Sequence, residues 1–475
     1  MNGPGRDDFT ELEAMFGRPR PDASARTRPH GFEERDPYLP DPRQTETPVV
    51  TAADAAAART RRFRRRAVAA SIALVVVAIV GTYIPVTLLA PVPVPTVSLS
   101  TPAVALPTEA ALTLPPAMES AVSITGGDDF EALTGTKEMV GTSGGDRALP
   151  IASISKLISA LVILDRKPLS SVDDLGPTLT FSKADHDLYD KYYVLGASIQ
   201  PMKTGSQMNE RDVLKTMLIV SACNYAEAAA TWAYGSQDAF VAATKKWLSG
   251  HGLSNTRIVE PTGVDPRNIS TPGDLVALGK IAHADPVVSK IVAMAKLNVP
   301  EMSNIGNNNA LLGIDGVDGI KTGTLDDSGS NLLFSAAVDI GRGAPVSVIG
   351  VVLGGASRDE VDSAVRMLIK SLKGGFHEVP LIEADTTIGT YSTAWGDRAT
   401  VVTESGTSLF TWSNQAITAK VNSAPVRHGK SGTVVGEIEF ASPTNQAQVP
   451  LVLRGAIREP DAWWRLTHPQ RLFAH

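Results

Sequence analysis

The chain has 475 residues, a formal net charge of −6, and 43% hydrophobic and 20% charged residues. It is too long for one ordinary domain and apolar enough to bury a large core, and its mild acidity argues against nucleic acid as a main partner. Its one cysteine, Cys223, excludes an internal disulfide framework and a cysteine-based zinc site, and the eight histidines show no helical ligand spacing, so neither metal nor cofactor is expected.

Residues 1–66 are polar and rich in Arg, Asp, Glu and Pro, with too few large apolar groups to offset chain entropy, and are expected to be a disordered cytoplasmic arm. The arm ends in "RTRRFRRR". Residues 67–90, "AVAASIALVVVAIVGTYIPVTLLA", carry no charge and are long enough to cross a bilayer. The basic cluster before them predicts a single-pass membrane protein with its N-terminus in the cytoplasm and everything after residue 90 outside. A cleaved signal peptide is the alternative, but its charged region would be too long and no small-x-small cleavage site follows. Residues 91–118 are Pro-rich and almost uncharged, which reads as an extended linker that lifts the rest of the chain off the membrane.

Globular patterning begins near residue 119. "SISKLISALVILD" is apolar nearly all round and predicts a helix buried at the centre of a domain. "NERDVLKTMLIVSACNYAEAAATWAY" offers Asn209 as N-cap with Asp212 three residues on, then one long or two short helices. "LLFSAAVDI" and "VSVIGVVLGG", separated by "GRGAP", read as a hairpin, and "RDEVDSAVRMLIKSLKGGF" returns to helix. Helices mixed with antiparallel strands give an α+β class for residues 119–378. Residues 379–475 alternate apolar and polar residues between Gly and Pro turns, as in a small all-β domain. The tail "DAWWRLTHPQRLF" suits packing on its own domain or docking on a membrane or partner.

Three short motifs carry chemistry. In Ser153-Ile154-Ser155-Lys156 the serine and lysine are three residues apart, so on a helix they share a face. A serine hydroxyl needs a base to become nucleophilic, and a lysine serves when burial and nearby cations lower its pKa. A serine at the start of a buried helix also aims backbone N–H groups at an incoming carbonyl oxygen. The second motif is Ser221 in "VSACNYA", between two apolar helical stretches. The third is Lys321-Thr322-Gly323-Thr324, leading into an apolar strand whose edge can pair with an extended peptide.

Two matches are decoys. Lys-Thr-Gly also occurs at residues 203–205, but in a polar loop ahead of a helix. "GTSGG" around Ser143 fits Gly-x-Ser-x-Gly without the strand-turn-helix context that a nucleophile elbow needs.

The ordered motifs, with the flanks "PIASISKLISALVILD", "RIVEPTGVDPRNIST", "GVDGIKTGT" and "VIGVVLGGASRDE", resemble the low-molecular-mass penicillin-binding proteins of the D-alanyl-D-alanine carboxypeptidase type over about residues 120–378. The resemblance implies the transpeptidase fold shared with serine β-lactamases, an antiparallel sheet with a helical cluster. It implies a substrate, the peptidoglycan stem peptide ending in D-Ala-D-Ala, and inhibition by β-lactams. It also implies roles. Ser153 is the nucleophile and Lys156 its base. The N–H groups of Ser153 and Thr324 hold the oxyanion, and Ser221 relays a proton to the leaving D-alanine. Lys321, Thr322, Gly323 and Thr324 receive the terminal carboxylate, and the charge of Lys321 helps hold Lys156 neutral. Arg358 is a further carboxylate partner or a surface arginine at a helix start.

The chain departs from the family at the second motif, usually Ser-x-Asn. Here Cys223 stands in the third position and Asn224 one place later. A thiol donates and accepts only weakly. A one-residue shift turns a helical side chain by about 100°, so Cys223 is expected in the slot unless the turn is irregular enough for Asn224 to reach it. Two rival functions remain. One is a class A β-lactamase, with Glu260 of "VEPTGVDP" activating the deacylating water. The other is a non-catalytic wall-binding or β-lactam-sensing module.

Overall fold

The computed structural model describes residues 52–473 except residue 327. The expected disordered arm lies outside the described residues as far as residue 51. From Ala52 the chain is helical to Leu89. Residues 52–66 were expected to be disordered. Their run of alanines and arginines has high helix propensity and extends the apolar helix toward its N-terminus. Among the described residues, Arg59–Leu89 is long and apolar enough to cross a membrane, and its apolar window is almost wholly uncovered.

The Pro-rich stretch differs from a free spacer. Thr96–Leu99 pairs antiparallel with Thr387–Ser392. Gly389 makes this possible, since a Cβ there would lie 2.0 Å from the Ser98 carbonyl oxygen. Farther along, the Ala110 and Thr113 amides donate to Ser413 Oγ (2.9 Å) and Ser371 Oγ (2.8 Å). The β-branched "TVSLS" segment supplies strand propensity that its proline-rich surroundings mask.

A five-stranded sheet organises the region that holds the three motifs. Its order is Val317–Leu325, Gly329–Val338, Val346–Gly355, Glu119–Thr125 and Glu138–Ser143, with every neighbouring pair antiparallel. Both faces of the first four strands are largely buried, which explains near-continuous apolar runs in place of alternation, while Glu138–Ser143 is a more exposed edge. Leu332 and Phe334 face a core shared with the helix Arg358–Gly375, while Leu333 faces the larger core built around the helix Ser155–Arg166. In that central helix residues 155–164 are all buried. The helix Glu210–Ile219 packs in the same core. It is capped by Asn209, whose side chain accepts from the Asp212 amide at 2.9 Å. The following helix is separate, Cys223–Tyr234. The C-terminal part forms a six-stranded antiparallel sheet with its own apolar core, and Thr96–Leu99 is one edge.

Glu210 stands out in the helical core. It is 1% exposed, and among the described residues neither carboxylate oxygen has a hydrogen-bond partner. Burial pushes its pKa from 4.5 up to about 7, opposed by the charge of Lys167. Between these two values the unfolded chain releases the proton and the folded chain does not. The stability held below about pH 4.5 is therefore lost as pH rises to 7. Glu210→Gln removes that penalty. At pH 8 it should raise stability by on the order of 3 kcal/mol, and the gain should vanish near pH 4.5, as read from urea unfolding at the two pH values.

Candidate active site

The site is assembled where the first strand of the five-stranded sheet meets the start of the central helix. The chain enters through Ala152, whose φ is +47, into the 3-10 turn Ala152–Ile154 and then the helix Ser155–Arg166. Ser153 lies in that turn and Lys156 in the first turn of the helix, on one face, with a 2.9 Å hydrogen bond between Lys156 Nζ and Ser153 Oγ. Lys156 is fully buried, and its Nζ also donates to the Thr262 carbonyl at 2.7 Å.

The second serine comes from the break between the helices Glu210–Ile219 and Cys223–Tyr234. Ser221 there has φ +63, a left-handed conformation that costs a non-glycine residue of order 1 kcal/mol or more. Its Oγ accepts from Lys321 Nζ at 3.1 Å. Lys321 lies on the strand Val317–Leu325, is 2% exposed, and donates also to the Thr322 carbonyl at 3.1 Å. Burial first, then the charge of Lys156, hold its pKa well below the ordinary lysine range. Cys223 works the other way, and Arg358 adds to the depression.

Gly323 fixes how closely strand and turn approach. A Cβ on it would lie 2.8 Å from the Ile151 carbonyl oxygen, 3.1 Å from Ala152 Cβ and 3.2 Å from the Ser153 nitrogen. Thr324 follows on the exposed side, and its Oγ1 accepts from Arg358 Nε at 3.2 Å. Ser153, Ser221, Cys223, Thr322, Gly323, Thr324 and Arg358 line one cleft of about 610 Å³. Lys156 and Lys321 lie beneath it, bonded to its two serines.

Cys223 and Asn224 part company. Cys223 is on the cleft wall. Asn224 is fully buried, with its amide bonded to the backbone of Gln200 through Nδ2 to O (2.7 Å) and N to Oδ1 (3.2 Å). Asn224 is thus not the substrate contact that an irregular turn would have made it, but a clamp that holds the Gln200 segment beside the helix. The helix is regular from Cys223 onward, so the shift of one residue turns the amide away from the cleft. The decoys are elsewhere: Lys203 forms an exposed ion pair with Glu301, and Ser143 Oγ donates to the Pro115 carbonyl at 2.8 Å. Glu260 is absent from the cleft wall, and its carboxylate accepts from Thr262, Gly263 and Asn268.

Sequence reasoning missed Thr262, Gly263 and Asn308. Thr262 acts through its carbonyl, which no side-chain motif advertises. Gly263 and Asn308 line the cleft. At Gly263 a Cβ would fall 1.8 Å from the Ala152 carbonyl oxygen. The glycine in "EPTGVD" was the one available signal, since a fixed glycine often marks close backbone approach.

Comparison with known proteins agrees with this geometry. The family model for the D-alanyl-D-alanine carboxypeptidases, the S11 peptidases, matches residues 135–357. That region holds all three motifs. Its sequence is similar to that of the D-alanyl-D-alanine carboxypeptidases. A D-alanyl-D-alanine endopeptidase of Pseudomonas aeruginosa is 34% identical over 147 residues, 30% of this chain and 43% of the relative. The chain therefore spans less than half of that relative. The Escherichia coli D-alanyl-D-alanine carboxypeptidase DacC is 26% identical over 316 residues, 66% of this chain and 75% of the relative. Among solved structures, penicillin binding protein 6B from Escherichia coli aligns at 22% identity with a TM-score of 0.47, covering 75% of this chain and 99% of that one.

Gly323→Ala should push the strand away from the Ser153 turn, because the contacted atoms are mostly backbone. We expect β-lactam acylation to slow at least about tenfold, a loss of about 1.4 kcal/mol in the transition state, while circular dichroism and the melting curve stay close to those of the parent.

Proposed function

We propose that the chain is a membrane-anchored serine D-Ala-D-Ala carboxypeptidase that trims the terminal D-alanine from peptidoglycan stem peptides through a Ser153 acyl-enzyme. The observation that carries the reading is the 2.9 Å bond between Lys156 Nζ and Ser153 Oγ at a cleft that is also lined by Ser221, itself bonded to the buried Lys321.

The substrate's terminal carboxylate enters beside Thr322, Thr324 and Arg358. Arg358, whose charge reaches the buried Lys321, offers that carboxylate an opposite charge at the cleft wall. This favours a peptide with a free C-terminus. Ser153 Oγ attacks the carbonyl carbon between the last two D-alanines, and its proton passes to Lys156 Nζ. The resulting oxyanion is met by the N–H groups of Ser153 and Thr324. The C–N bond then breaks, with a proton delivered to the departing amine through Ser221. Free D-alanine leaves and an ester remains on Ser153. Water hydrolyses that ester, restores the serine and releases the shortened peptide.

The same reading assigns residues 67–90 as the anchor, the N-terminus to the cytoplasm and residues 119–378 to the chemistry outside the membrane. The charge-free apolar run behind a basic cluster supports it. A β-lactamase is disfavoured because the Glu260 carboxylate is filled by donors from its own loop and is not presented to the cleft.

The test is D-alanine release from a stem pentapeptide ending in D-Ala-D-Ala, using the full chain in detergent. The parent should release one D-alanine per peptide, and Ser153→Ala should lower the rate by at least about a thousandfold, as for loss of a nucleophile. A folded parent that releases none, or a Ser153→Ala variant that keeps the parental rate, contradicts the assignment.

A further inference from the structure

The loop that contains Glu260 is tied to the central helix at successive points. Ser159 Oγ donates to the Pro261 carbonyl at 2.7 Å, and Lys156 Nζ donates to the Thr262 carbonyl at 2.7 Å. Asn268 Nδ2 donates to Ser155 Oγ at 3.1 Å. Gly263 lies against Ala152 so closely that no side chain fits. The Thr262 carbonyl is thus the second acceptor that fixes Lys156 Nζ, beside Ser153 Oγ, and something must hold that carbonyl.

Glu260 does so. One carboxylate oxygen accepts from the Thr262 amide and the Thr262 hydroxyl, both at 2.7 Å. The other accepts from the Gly263 amide at 2.6 Å, Asn268 Nδ2 at 2.9 Å and, more distantly, the Asp265 amide at 3.4 Å. Asn268, itself fully buried, closes the loop by accepting from the Val259 amide at 2.7 Å. Each of these groups facing the carboxylate is a donor. A carboxylate accepts at both oxygens, whereas an amide of the same shape would turn two of its own N–H bonds toward N–H groups. Bonds of this charge-assisted kind are also the stronger ones.

We propose that Glu260 is a positioning residue for acylation: through the Thr262 carbonyl it sets where Lys156 Nζ stands relative to Ser153 Oγ. The proposal rests on the serine-acylation reading above. It gives Glu260 no contact with substrate and no part in deacylation.

The test compares parent, Glu260→Gln and Thr262→Val in the full chain, with benzylpenicillin as the probe. Stopped acylation time courses over a range of concentrations separate the reversible binding constant from the rate of the covalent step. Acylation of the parent is the control for the underlying reading. If the parent does not acylate, that reading fails before Glu260 is in question. With an acylating parent, Glu260→Gln should slow the covalent step by about ten- to a hundredfold and leave reversible binding within about twofold. Thr262→Val removes one of the carboxylate's donors and keeps the carbonyl, and should slow the same step by a few fold with an unchanged melting temperature. It carries the test alone if Glu260→Gln does not fold. Covalent steps at the parental rate in the folded variants overturn the proposal. So does a loss confined to reversible binding, which would mark a role in cleft shape only. Normal acylation with a longer-lived acyl-enzyme in Glu260→Gln would also overturn it, and would make Glu260 a deacylation base.

Discussion

Two lysine amines are held out of water within one cleft, and the rest of the site is arranged around that constraint. Lys156 is fully buried and Lys321 nearly so. Burying an ammonium costs several kcal/mol unless partners and pKa shifts offset it. Each lysine therefore needs a hydroxyl and a carbonyl. Lys156 has Ser153 and Thr262, and Lys321 has Ser221 and Thr322. Each hydroxyl is in turn held by unusual backbone, φ +47 at Ala152 just before Ser153 and φ +63 at Ser221 itself. Strain of this kind persists where the surrounding structure over-determines it and is frequent at functional sites. Here the surroundings are the doubly buried sheet, the central helix and the loop at residues 260–268.

The glycines show the same dependence. Gly323 brings the strand to the Ser153 turn, and Gly263 brings the loop to Ala152. Neither position tolerates a Cβ without moving backbone. The lysine cage is thus closed from two directions by residues whose contribution is the absence of a side chain. The depressed pKa of Lys321 follows from that closure, since burial is its largest cause.

Much of this was readable in the sequence where a single periodicity decides the geometry. The three-residue spacing of Ser153 and Lys156 puts them together on any helical turn, and the apolar surround of "SISKLISALVILD" places that turn inside. Asn209 and Asp212 marked a helix start for the same local reason. What stayed hidden is set by tertiary contact. A turn at Ser221 was expected between the two helical stretches, but its left-handed backbone has no glycine to announce it. Thr262 contributes a carbonyl, and Asn308 sits in a run of three asparagines with nothing to single it out. The linker misled because proline content masks a short β-branched segment. Thr96–Leu99 is ordered by an edge strand nearly three hundred residues away in sequence, at a position where Gly389 leaves room. Residues 52–66 misled in the opposite sense, because charge suggested disorder where alanine content carries the helix onward.

The central claim is that Ser153, activated beside Lys156, is the nucleophile. The most direct measurement is the intact mass of the full chain with time after benzylpenicillin addition, followed by peptide mapping. The account predicts a single lasting penicilloyl adduct on the peptide containing Ser153. A folded protein that forms no adduct and leaves penicillin intact, or an adduct on Ser143 or Ser221, would contradict it.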